Sequence, residues 1–211
     1  MTAYSSKIEE FKHALASEAD VYGVNLSAQA MDGLSEYYEL LNSWNTRLHL
    51  VAPCSPQQFA TRHVLESLIL LSFLPTAAKV ADVGSGAGLP ILPCLIVRPG
   101  ICATLIESSK KKAVFLREAI NRTKLSQYTT VIAERFEDIT APEAGFVTCR
   151  ALERFETKLQ SLLQWSPPDS TMLFFGGPGL REQLTQLDLN FKEVKIPNSE
   201  RRYLFVIEQP G

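Results

Sequence analysis

Apolar positions in the first third of the chain recur every three to four residues. Ile8, Phe11, Leu15 and Ala19 form one stripe, and Met31, Leu34, Tyr38 and Leu41 form another. This spacing puts each set on one face of a helix, over 5–20 and 27–42, with Asn25 or Ser27 placed to cap the second. The stretch Trp44-Asn45, Leu48, Leu50 is less regular and leads into the turn residues Pro53 and Pro56. A third helix is expected over 57–73, carrying Phe59, His63, Glu66, Ser67 and Leu70. Residues 1–75 thus read as an N-terminal helical cap.

From Lys79 onward the pattern changes. Short strand-like runs alternate with helix-like segments, which implies a mostly parallel sheet with helices on both faces. Strands are expected at 79–83, 101–106, 128–133, 145–149, 170–175, 190–196 and 202–208. Helices fall between them at about 89–97, 109–123, 153–164 and 179–187. Only Pro197 to Glu200 separates the last two strands, so the sheet ends in an antiparallel hairpin. The fold class is α/β, with a Rossmann-like seven-stranded sheet over 76–211.

The first expected strand runs into Gly84, Gly86 and Gly88, and an apolar helix begins behind Pro90. A glycine turn between strand and helix lets backbone approach a ligand closely, because no Cβ intervenes. A dinucleotide fingerprint needs glycine at the sixth position, and here that position is Leu89. The spacing G-x-G-x-G is instead that of S-adenosylmethionine sites, and it disfavours a nicotinamide dehydrogenase. The next strand ends in Glu107. In a right-handed β-α-β unit this acid sits at the carboxyl end of the neighbouring strand, where it can accept from both ribose hydroxyls of a nucleoside.

Composition narrows the choice of partners. The 211 residues carry a net charge of −2, with 45% hydrophobic and 21% charged positions, as in an ordinary globular protein. Nucleic-acid binding would need a local basic patch. Cys54, Cys94, Cys102 and Cys149 show no metal or disulfide spacing, so reduced cysteines and no metal are expected. The first twenty residues do not read as a signal peptide, and the longest apolar run, Ser67 to Pro75, is too short to cross a bilayer. A cytoplasmic monomer without membrane attachment is the expectation.

Six stretches, taken together in order, resemble a known family. They are Trp44-Asn45 with Leu48 and Leu50; Arg62-His63 with Glu66-Ser67-Leu68; Asp82 to Pro90; Glu107-Ser108 with Lys110 to Lys112, Phe115 and Leu116; Arg135 with Glu137; and Arg150-Ala151. The family is the bacterial small-subunit (16S) ribosomal RNA guanine-N7 methyltransferases, also called glucose-inhibited division protein B. The resemblance implies a Rossmann-like class I methyltransferase, S-adenosylmethionine as cofactor, and a guanine of 16S rRNA or of the small ribosomal subunit as substrate. It also implies that Gly84, Leu89, Phe136, Glu137 and Arg150 line the cofactor pocket, with Glu107 on the ribose. The chain departs from the family at Ile91, where glycine is usual and a side chain would narrow the room near the methionine tail. It departs at Glu66, where Asp is usual, and at Gly176-Gly177, where a Lys-Gly pair is common.

Guanine N7 is nucleophilic without losing a proton, so the reaction needs alignment more than a general base. Arg150, at a strand's carboxyl end, is the candidate to orient the cofactor carboxylate or the base; the plainer alternative is a surface pair with Glu153 or Glu156. Glu137 and Arg135 would lie beside the adenine, or belong to a local ion pair in the run Glu134 to Asp138. His63 and Glu66 share a helix face, and packing suits His63 better than catalysis. Lys110, Lys111 and Lys112, extended by Arg201 and Arg202, would hold RNA phosphates, although a lysine run at a helix start is ordinarily only solvated. A methyltransferase for a small molecule or protein, and a non-catalytic RNA-binding or ribosome-assembly factor, remain alternatives at this point.

Overall fold

The computed structural model describes residues 3–150 and 155–208. Helix α1 (Ala3–Glu18) passes through a 3-10 turn and ends at Gly23, whose φ of 67° accepts the left-handed cap. Helix α2 (Ala28–Leu48) is capped by Ser27, whose hydroxyl accepts from the Ala30 N–H at 3.1 Å. It runs two turns beyond the expected end because Trp44 packs edge-on against Phe115 at 6.1 Å, so tertiary contact holds the less regular stretch helical. Asn45 then brackets Val51, donating to its carbonyl at 3.1 Å and accepting from its N–H at 2.9 Å.

The third expected helix is broken. It divides into α3 (Pro56–Phe59), a π-helical turn (Ala60–Leu65), α4 (Glu66–Leu68) and a 3-10 turn (Ile69–Ser72). Within the π turn the Glu66 N–H reaches back five residues to the Thr61 carbonyl. Periodicity cannot reveal this, because the apolar stripe survives one widened turn.

Strands β1 (Lys79–Val83), β2 (Cys102–Ile106), β3 (Thr129–Ile132), β4 (Phe146–Arg150), β5 (Thr171–Gly176), β6 (Phe191–Lys195) and β7 (Tyr203–Glu208) form one sheet in the order 3-2-1-4-5-7-6. All neighbours pair in parallel except β7, which is antiparallel to both β5 and β6, as the hairpin reading requires. The crossover helices are α5 (Ile91–Val97), α6 (Lys110–Arg122), α7 (Phe155–Trp165) and α8 (Pro178–Gln186). The expected start of α7 at 153 lies outside the described residues.

Alternation along the strands builds a core on each face. Val80, Ala103, Leu105, Leu173 and Leu204 join a cluster with Phe11, Leu34, Phe59, Leu92 and Phe115, so the helices before β1 share one core with α5, α6 and the sheet. Ala81, Val83, Val147, Met172, Phe174 and Phe205 turn the other way, onto Leu159, Leu162, Leu180 and Leu184 of α7 and α8. No helix among the described residues is long and apolar enough to cross a membrane.

One hydrogen bond couples the N-terminal helices to the glycine turn: the fully buried Tyr37 hydroxyl donates to the Ala87 carbonyl at 2.7 Å. Tyr37→Phe removes the donor and strands a buried acceptor. Urea unfolding of that variant is expected to show a loss of about 1–3 kcal/mol; an unchanged midpoint would mean the bond carries no net stability.

Candidate functional site

The turn after β1 lies at the carboxyl end of the sheet, where open α/β folds bind ligands. Gly84 and Ser85 both donate to the Ile106 carbonyl, at 2.9 and 3.2 Å, so the end of β2 anchors the turn. Gly88 is required for packing: its φ is 84°, and a Cβ there would stand 2.2 Å from Leu92 Cδ1. Gly86 is different. Its φ is 54°, and a Cβ there would approach only the Gly84 carbonyl, at 3.7 Å, so the missing side chain leaves room in the cavity.

Glu107, at the end of β2, is buried and faces this turn. One carboxylate oxygen accepts from the Gly86 N–H at 2.8 Å and the other from the Ser109 N–H at 2.7 Å. Each oxygen keeps a lone pair, so the acid fixes the turn and can still accept from hydroxyls. Ser109 also caps α6 through its own hydroxyl, which accepts from the Lys112 N–H.

These groups surround a cavity of about 280 Å³. Of the expected cofactor residues it brings together Gly84, Gly86, Leu89, Glu107 and Arg150, and it adds Lys112 from the basic helix. Gly88 sits behind the turn. Phe136 is buried against Trp165, with ring centroids 5.6 Å apart, and Glu137 pairs with Lys158 at 2.8 Å; neither side chain lines this cavity. The Lys158 partner means the Glu137 ion pair reaches across to α7 and is not confined to the run Glu134 to Asp138. Burial is the largest single influence and raises the Glu137 carboxyl, but the Lys158 hydrogen bond and charge, a backbone hydrogen bond and Arg135 together leave the group below its ordinary range. Lys110 and Lys111 are exposed on the first turn of α6, and Arg201 is exposed before β7.

Ile91, expected to crowd the cavity, instead packs fully buried in the first core and lines none of it. The Gly176-Gly177 pair is fixed by close neighbours: a Cβ at Gly176 would lie 2.5 Å from Leu180 Cδ2, and one at Gly177 would lie 3.1 Å from the Arg201 carbonyl. Leu50, Val51, His63, Ser85, Ala87 and Ser108 complete the wall. The Asn45 side chain that brackets Val51 was the available signal for the first two, within a stretch that reads only as irregular. A larger cavity, about 440 Å³, lies between α1 and α2 and shares only Val51 with this one.

Arg150 is held by backbone and by acid. It donates to the carbonyls of Arg62 and His63, to the Ser67 hydroxyl at 3.1 Å and to Glu66 at 3.4 Å, with Phe175 beneath it at 5.5 Å. The alternative pair with Glu153 or Glu156 falls outside the described residues and side chains. Glu66 also takes Arg202 at 2.6 Å. Burial pushes the Glu66 carboxyl up, more than the arginines pull it down. His63 is held neutral, its pKa lowered to about 4 by burial and then by Arg150, Arg62 and Arg202.

The overall fold agrees with solved methyltransferase structures. The Bacillus cereus O-methyltransferase in complex with SAH superposes with a TM-score of 0.58 at 15% identity, covering 83% of this chain and 91% of that one. The Bacillus subtilis m1A22 tRNA methyltransferase TrmK gives a TM-score of 0.54 at 14% identity, covering 67% and 64%. At such identity these establish the fold. Sequence relatives go further. A protein of Gluconobacter oxydans named ribosomal RNA small subunit methyltransferase G is 35% identical over 76% of this chain and 82% of its own length. A Xanthomonas campestris relative of the same name is 32% identical over 87% and 92%. The family described as rRNA small subunit methyltransferase G matches residues 30–200. The chain belongs to that family. Among the described residues this methyltransferase G relative has no cluster of three or more His, Cys, Asp or Glu side chains that could hold a metal.

Beneath the turn, Asp82 is fully buried. One oxygen accepts from the Thr148 hydroxyl at 2.7 Å, and the other has no partner. Burial pushes its pKa up to about 7, with the Thr148 hydrogen bond opposing the rise and the Glu107 charge adding to it. A carboxyl with a raised folded-state value binds more protons folded than unfolded between about pH 4 and 7, so its contribution to stability is lost as pH rises. Wild type is therefore expected to gain melting temperature relative to Asp82→Asn as pH falls from 8 to 5. A constant difference between the two melting curves would show that Asp82 ionises normally.

Proposed function

We propose that the chain transfers a methyl group from S-adenosylmethionine to N7 of a guanine in small-subunit rRNA. The observation that carries the reading is Glu107, a buried acid at the end of β2 facing the open side of Gly86. Such a carboxylate suits the paired hydroxyls of a ribose, and family membership names the substrate class. When bound, S-adenosylmethionine supplies a methyl group already activated on a sulfonium.

The chain's own residues position and enclose. The turn Gly84 to Gly88 offers backbone without side chains, Glu107 accepts from the ribose, and the turn carrying Phe136 and Glu137 flanks the adenine beyond β3. Arg150 orients the cofactor carboxylate or the base, held by Glu66 and two carbonyls. Lys112 reaches the cavity, and Lys110 and Lys111 extend its charge toward RNA phosphates.

Nitrogen chemistry suits the cavity better than carbon chemistry. Methylation of a pyrimidine carbon needs a nucleophilic thiolate, and no cysteine lines this cavity among the described residues. Cys94 and Cys149 are buried, burial raises the Cys94 thiol far above its usual range, and Cys102 opens β2 at the opposite end from Glu107. Cys54 lines the adjoining cavity, and its thiol is raised by burial and not activated. His63, neutral with a depressed pKa, is a weak base. Guanine N7 requires neither a thiolate nor a base.

Purified protein incubated with labelled S-adenosylmethionine and small subunits lacking the modification is expected to yield one labelled nucleoside on digestion, 7-methylguanosine. A different labelled nucleoside would overturn the position, and unlabelled RNA would overturn the substrate. Arg150→Ala is expected to lower kcat/KM by roughly 100-fold, as for loss of a charged group that positions reactants. Wild-type turnover and cofactor affinity in that variant would remove Arg150 from the machinery.

A further inference from the structure

A second cavity, about 350 Å³, adjoins the first, and His63 and Arg150 line both. Its remaining charged walls are Arg62, Glu66 and Arg202. Three guanidinium groups thus converge from separate elements: the π turn, the end of β4 and the residue just before β7. The antiparallel register brings the third of these into place. Gly176 at the end of β5 pairs with Tyr203, so Arg202 emerges at the same sheet edge as Arg150.

One carboxylate answers these three cations. Glu66, with its side chain 2% exposed, gives Oε1 to Arg202 Nε at 3.1 Å and Nη2 at 2.6 Å, and Oε2 to Arg150. A closed ion-pair network would account for Glu66, Arg150 and Arg202. It would not account for Arg62, which is exposed, lines the cavity and has no carboxylate partner among the described residues. Arg62 attracts Glu66 without touching it and repels Arg150, so a purely structural network has no need of it. The neutral His63 supplies no balancing charge, so the cavity carries a net positive charge of two with donors unspent. It opens directly beside the site where the base must sit.

We propose that this cavity binds a phosphodiester of the RNA strand adjoining the nucleotide to be methylated, with Arg62 as its donor and Arg202, whose Nε and Nη2 are taken by Glu66, adding its charge. This rests on the rRNA reading above. Guanidinium forks suit a phosphate bidentately. Arg150, fixed by Glu66 between the two cavities, then ties the position of the backbone to that of the base.

The test measures binding of small-subunit rRNA across a range of salt concentrations for wild type, Arg62→Gln and Arg62→Lys. Arg62 is exposed and supports no buried contact through its side chain, so the fold should tolerate both changes; S-adenosylmethionine affinity within twofold of wild type checks this. Arg62→Gln is expected to weaken RNA binding about tenfold. It should also flatten the slope of log affinity against log salt by about 0.7, the loss of one phosphate contact on a single strand. Arg62→Lys should restore most of the slope. An unchanged affinity and slope for Arg62→Gln, with wild type binding RNA normally, would overturn the subsite alone. Failure of wild type itself to bind the RNA would overturn the rRNA reading and the subsite with it.

Discussion

A single buried carboxylate ties the ends of this molecule together. Glu66 lies between Arg150, which ends β4, and Arg202, which precedes β7. Removing the Glu66 and Arg150 charges from water is costly, and such an arrangement survives only where further hydrogen bonds complete it. Here the Arg62 and His63 carbonyls and the Ser67 hydroxyl complete it. Both of those carbonyls belong to the π turn Ala60–Leu65. The irregularity of the helix and the placement of Arg150 are therefore one feature, and losing either would leave the other without partners.

The second constraint runs through the glycine turn, which is held from three sides. Tyr37 of α2 bonds the Ala87 carbonyl, Glu107 of β2 bonds the Gly86 N–H, and Thr148 of β4 steadies Asp82 directly below. These contacts fix a stretch of backbone with few side chains of its own. Loop cavity and arginine cavity meet at His63 and Arg150, so the order imposed on one is transmitted to the other.

Much of this was legible in the sequence. The strand runs, the switch to glycine after Val83, Glu107 at the next strand end and the closing hairpin all follow from local pattern, because each is set by neighbours within a few residues. The rest depended on contacts that periodicity cannot carry. The helix 57–73 breaks where Arg150, 88 positions further on, takes the Arg62 carbonyl, and α2 extends to where Trp44 meets Phe115. Ile91 looked like an obstruction beside the turn, yet its side chain belongs to the core. Arg202, grouped with the α6 lysines on charge alone, is committed to Glu66, a partner 136 positions earlier.

That separation bears on how the protein comes into being. β7 is inserted between β5 and β6, so the last strand among the described residues is not the edge of the sheet but its penultimate member. The pairing of Arg202 with Glu66 closes one of the longest loops in the chain, and long loops close late. A chain in which β7 had not yet paired with β5 would hold the glycine turn and Glu107 but would lack the register that brings Arg202 beside Arg150. Pairing of β7 and assembly of the arginine cluster are thereby the same event.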